Sequence, residues 1–129
     1  MISHLQMVTV FISDMQQAVA FYTEKLGFVV LGEYQDEENY FTWIVPAEAK
    51  DAPHGTLIGL FEAKSGDPRI GNVDGMVFTA DNIADTYHEL KAKGVIFTLD
   101  LVRHGYGEGE GDQEARFVDP DGNEFLLHT

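Results

Sequence analysis

His4, His54, His88, His104 and His128 are the side chains best suited to hold a metal ion or carry a proton, yet their spacing assembles no ligand set. Neither an HxH nor an HExxH pattern occurs. His88 sits in a helical pattern beside Glu89 and reads as solvent-facing, while His54 and His104 fall in loops. With no cysteine, disulfides, thiolate nucleophiles and cysteine-held metals are excluded. On the last apolar run Glu124 and His128 share one strand parity, so they can form an acid–base pair that needs no metal. His128 lies next to the end of the sequence and reads more readily as a rim or surface residue than as a cavity one. Arg116 can pair with one of the many acids or receive an anionic group. The run GYGEGEGDQE (105–114) alternates glycine with Glu108, Glu110, Asp112 and Glu114. It matches no phosphate-cradling glycine loop and no EF-hand, and reads as a flap with Tyr106 as its anchor.

The elements that position these groups come as a duplicated unit. DMQQAVAFYTEKLGF (14–28) places Met15, Ala18, Val19, Tyr22 and Leu26 on one helix face. Asp14 is a good N-cap with Gln17 three residues on, and Gly27 is a helix-ending glycine. DNIADTYHELKAKGV (81–95) repeats the plan, with Asp81 and Gly94 spaced like Asp14 and Gly27. Strand-like runs at 8–12, 28–34, 40–45 and 56–61 surround the first helix; runs at 76–79, 95–101, 115–119 and 124–128 surround the second. Residues 46–54, with two prolines, read as loop rather than strand. PDGN (120–123) is a hairpin turn. Each half is therefore βαβββ, and the fold class is α+β. The expected organisation is a single domain over 1–129, with modules at 1–64 and 73–129 and a linker at 65–72. Four strands per half suggest that the two halves share one curved sheet with the helices outside.

Charge narrows the partners. The formal net charge is −14 from 22 acidic and 8 basic residues, and both halves are acidic. No basic footprint exists for nucleic acid or anionic lipid, and no apolar run reaches the length of a membrane span. The opening MISHLQMV shows no signal-peptide pattern, which makes a cytoplasmic location the expectation. The acidity supplies solubility, and a small-molecule partner would be cationic rather than anionic.

AVAFYTEKLGF (18–28), LKAKGV (90–95) and RFVDPDGN (116–123), set in paired modules, resemble the vicinal oxygen chelate superfamily of glyoxalase I, bleomycin-resistance proteins and extradiol dioxygenases. The resemblance covers nearly the whole chain and implies a half-open barrel, a cavity within it and a homodimer. It also implies four metal-ligand positions. Counted from Asp14, the fourth strand, Asp81 and Asp119, these fall on Met7, Gly59, Gly75 and Leu126. None offers a carboxylate, imidazole or thiolate, so no metal and no other cofactor is expected. Strand parity then assigns Thr9 and Phe11 to the cavity with Met7, and Leu57 and Phe61 with Gly59. Val77 and Thr79 join Gly75; Glu124 and His128 flank Leu126. Trp43 crosses nearby on the strand that carries Phe41 and Val45, and Tyr106 and Arg116 complete the set. This mostly apolar, aromatic lining suits an organic ligand held by shape and stacking. Three functions follow from it: a metal-free binder of a small molecule, a lyase, isomerase or other enzyme with divergent or absent metal ligands, and an interaction module whose cavity is filled by side chains.

Overall fold

The computed structural model describes residues 1–52, 55–105 and 112–129. His54, Tyr106, Glu108 and Glu110, named above as loop and flap residues, lie outside them. The order of elements is β1 (Met7–Ile12), α1 (Met15–Ala20) continuing as a π-helical turn (Phe21–Lys25), β2 (Phe28–Gln35), β3 (Tyr40–Pro46) and β4 (Leu57–Glu62). It continues with β5 (Met76–Thr79), α2 (Ile83–Ala92), β6 (Ile96–Arg103), β7 (Gln113–Val118) and β8 (Glu124–His128). The chain divides into two compact units, Met1–Gly71 and Asn72–Thr129. Each is βαβββ, as the sequence predicts.

In the first unit the strand order is β1-β4-β3-β2, with β1 parallel to β4 and the other pairs antiparallel. Alternation sends Val10, Ile12, Ile44, Ile58 and Leu60 to one face, where Met15, Ala18, Phe21 and Tyr22 cover them. Each of the large side chains among them, removed from water, contributes about 2 kcal/mol before chain entropy is counted. Asp14 caps α1 by accepting from Gln17 N–H at 3.0 Å. Glu62, at the end of β4, takes Met15 N–H at 2.8 Å, tying the helix start to the sheet.

The second unit repeats the order as β5-β8-β7-β6, with β5 parallel to β8. Its core is a ring cluster. Phe117 lies 5.5 Å from Phe125, Phe125 lies 5.3 Å from Phe78, and Tyr87 reaches from α2 to Phe97 at 4.7 Å. The PDGN turn is held from within. Asp119 Oδ1 accepts from Asp121 and Asn123 N–H, and buried Asn123 donates to Asp119 Oδ2 and accepts from Val73 N–H at 3.0 Å.

Four expectations change. The halves do not share one sheet: among the described residues every strand pairs within its own unit, because each sheet already has a helix closing its core. The second helix is capped by Asn82, which accepts from Asp85 N–H at 3.0 Å, rather than by Asp81. The equal spacing seen in the sequence arises because the π-turn, with Leu26 N–H reaching back five residues to Phe21 O, absorbs one extra residue in the first copy. Phe21, the first residue of the wider turn, is buried in the core. Finally, Pro46 ends β3 opposite Phe28 instead of opening a loop; at a strand terminus its missing N–H costs no ladder bond.

Candidate functional site

The face of the first sheet turned away from α1 carries a stripe of rings. Phe11 pairs in register with Phe61, Phe61 with Phe41, and Phe41 with Tyr34, so one aromatic residue stands on each of the four strands. Phe11 meets Phe61 edge-on at 5.5 Å, and Phe61 meets Phe41 at 4.7 Å. Trp43 stacks beside Phe41 at 6.2 Å with the rings 9° from parallel. Phe11, Phe41, Trp43 and Phe61 are all half-buried, unlike the fully buried residues that alternate with them. The adjacent row is Thr9, Gly59, Trp43 and Gly32, and the two glycines leave room for the indole and for Met7. A Cβ on Gly59 would lie 2.7 Å from Met7 Sδ, and one on Gly32 would lie 3.5 Å from the Trp43 ring.

The stripe ends in polar residues held by aspartates. Arg69 lies 4.2 Å from the Phe11 ring centroid and pairs with Asp67 at 2.7 Å. Those hydrogen bonds bring the Asp67 carboxyl down to about 2. Tyr34, at the other end, donates its O–H to Asp36 Oδ2 at 2.8 Å, which raises the phenol above its usual range.

The second sheet's face away from α2 carries a charged group beside apolar residues. Arg116 stands between two carboxylates, 3.8 Å from Glu124 and 4.0 Å from Glu114. Both separations exceed a hydrogen bond, and the buried Nε of Arg116 has no partner among the described residues. Glu124 also accepts from Thr98 at 2.9 Å, and Glu114 meets His104 Nε2 at 3.2 Å. Leu126 and Val77 lie in the row of Arg116; Thr79, His128 and Glu114 form the next.

The structure thus brings the sequence-derived residues together on two faces. Met7, Thr9, Phe11, Trp43, Leu57, Gly59 and Phe61 share one; Val77, Thr79, Arg116, Glu124, Leu126 and His128 share the other. Glu124 and His128 take different partners, since His128 Nε2 lies 3.8 Å from Asp112 and its Nδ1 2.9 Å from Thr129 O. Gly75 precedes β5, is exposed and has φ of 89°, so it is a turn residue rather than part of a strand face. Tyr34, Arg69, His104 and Glu114 were missing from the sequence-derived set. Parity reaches Tyr34 once β2 is paired, and the Asp-x-Arg of DPR (67–69) is a local turn signal. Nothing local marks His104 and Glu114.

The four positions that would hold a metal do not fit one. The Met7 thioether lies over Gly59, Leu126 is aliphatic and Gly75 has no side chain. Among the described residues no group of three or more His, Asp or Glu is placed to hold an ion.

The glyoxalase/bleomycin resistance protein/dioxygenase superfamily profile matches residues 2–127. The chain belongs to this superfamily. The antibiotic binding protein TnmS3 from Streptomyces sp. CB03234 is similar, with 26% identity, a TM-score of 0.78, and coverage of 98% of this chain and 94% of that one. A superfamily member from Sphaerobacter thermophilus DSM 20745 is 27% identical with a TM-score of 0.80, covering 98% and 97%. YetH of Bacillus subtilis (strain 168) is 28% identical over 98% of both chains. As a superfamily member, the chain has the superfamily's fold, here a pair of βαβββ units.

Proposed function

We propose that this superfamily member binds a small organic molecule without a metal, on the aromatic face of its first sheet. The observation that carries this reading is the stripe of half-buried Phe11, Phe61, Phe41 and Trp43 on the sheet face turned away from α1. Rings that only filled a core would be buried like Phe117 and Phe125, which are 1% and 0% exposed. Ring-on-ring contact of this kind adds about 0.5–1.5 kcal/mol per pair beyond area burial. Similarity to an antibiotic binding protein supports the same class of function. With a net charge of −14, the protein favours a neutral or cationic ligand over an anion.

We further propose that it works as a homodimer in the cytoplasm. The edge strands β2 and β6 expose Val30, Leu31 and Ile96, and such edges invite cover. Sedimentation giving a monomer at micromolar concentration would refute the dimer.

A second reading, a metal-free enzyme, draws on the Glu114–Arg116–Glu124 group with His104, which contains an acid, a base and a cation on one face.

Thermal-shift screening of a metabolite and antibiotic library, with and without divalent metals, separates the readings. Binding at about a hundred times Kd stabilises by about 2.7 kcal/mol. The binder reading expects aromatic hits whose shifts are indifferent to metal. Hits that appear only with added metal would refute it.

A further inference from the structure

On the helix side of the first sheet, behind the rings, a groove of about 340 Å³ runs between the first helix and strands β2 and β3. Val19, Ala20, Thr23 and Glu24 form its helix wall, and Glu33 and Tyr40 form its strand wall. Tyr40 also lines a second groove of about 200 Å³, with Glu37, Glu38, Glu62 and Lys64. The two therefore run on from each other through Tyr40, and both lie within the first unit.

What these walls offer a guest is mostly lone pairs over an apolar floor. Thr23 gives its O–H to Val19 O at 2.7 Å, which leaves its oxygen only to accept. Glu24 and Glu33 are exposed carboxylates with no hydrogen bond or ion pair among the described residues. Glu62 takes Met15 N–H on Oε2 at 2.8 Å and keeps its second oxygen. Thr42 is in register with Glu33 and two residues along β3 from Tyr40, so it leaves the sheet on their face. Its hydroxyl is buried and has no partner among the described residues. Met15, Val19 and Ala20 supply the floor. Lys64 is the one basic side chain, among the described residues, that lines either groove.

We propose that this double groove is a second binding site, for a linear aliphatic polyamine. Its ammonium groups sit at Glu24 and Glu33 and at the Glu37, Glu38 and Glu62 end, and its methylenes lie over Val19 and Ala20. An ammonium matches these walls because it donates up to three hydrogen bonds and accepts none. Charged donors on carboxylates make the stronger kind of hydrogen bond. The methylenes between them cover apolar surface as the stem of a lysine does. A divalent metal matches less well: the alkyl floor gives it no ligand, and the described residues hold no group of three or more acids or histidines placed around an ion. The site is on the opposite sheet face from Trp43 and is independent of the aromatic-face reading.

Spermidine is the probe, titrated by calorimetry at physiological salt, where diffuse attraction to a net charge of −14 is largely screened. One site per chain is expected, with amide shifts in nuclear magnetic resonance spectra at Val19, Ala20, Thr23, Glu33 and Tyr40. In Glu24→Gln/Glu33→Gln the affinity falls about tenfold, the size of two exposed ion pairs. Asp81→Asn/Asp85→Asn removes the same charge from the second unit and changes the affinity less than about twofold. Magnesium at matched ionic strength does not displace spermidine. Thermal melts report the folding of both double variants. Equal losses in the two variants, or full displacement by magnesium, would reveal diffuse charge attraction and overturn the site. Absence of spermidine binding also overturns it, and leaves the aromatic-face reading untouched.

Discussion

At the scale of single residues, polarity in the wrong place is as informative as the rings. Thr42 is 1% exposed on the helix side of the first sheet, and its hydroxyl has no partner among the described residues. Burying an unpaired hydroxyl costs about 1–3 kcal/mol, and a methyl of the same shape carries no such cost. Thr42→Val is therefore expected to raise the melting temperature, corresponding to about 1 kcal/mol; a lower melting temperature would show that the hydroxyl is satisfied. Asp67 gives a pH prediction. Its carboxyl is held down to about 2, first by the side-chain hydrogen bonds from Arg69. A carboxylate depressed in this way contributes fully above its unfolded value of about 3.9, and the contribution is lost only as pH falls through about 2. The clamp on Arg69 should thus be intact between pH 8 and pH 4. A nuclear magnetic resonance titration of the Asp67 carboxyl with a midpoint near 4 would refute the clamp. Of the residue-level picture, Phe11, Phe61 and Trp43 could be read from parity alone. Arg69 could not, because its place over Phe11 depends on how the segment after β4 returns.

At the scale of elements, the helix–glycine repeat was legible because caps and stops are local chemistry. Gly27 and Gly94 adopt φ of 77° and 85°, as helix-ending glycines do. The π-turn was not legible, since a bulge of one residue leaves no mark on composition and only shifts the period. The cap at Asp14 belongs to this scale. Asp14→Ala removes the acceptor for Gln17 N–H and is expected to cost about 1 kcal/mol, measured by urea unfolding. A null effect would mean that Glu62, which holds Met15 N–H, secures the helix start by itself. The shared sheet was misjudged for a related reason. Strand patterns show which residues alternate, but not that a helix of each unit closes its own sheet.

At the scale of the whole molecule, charge and family act together. The acidity on both halves predicts that a cationic ligand binds less tightly as salt rises from low to physiological, while a neutral one is unaffected. Equal salt dependence for both would remove electrostatics from the account. Superfamily membership fixes the βαβββ pair but not the chemistry, because one fold hosts many functions. What marks the first unit of this member is a stripe of rings on the sheet face turned away from α1, with Gly59 and Gly32 in the adjacent row. The central claim, organic ligand binding without metal, is tested most directly by titrating an aromatic hit of the thermal-shift screen against Trp43 fluorescence in chelator-treated protein, then repeating with zinc or manganese added. The account predicts saturable quenching with the same Kd in both. Quenching that appears only when metal is restored would contradict it.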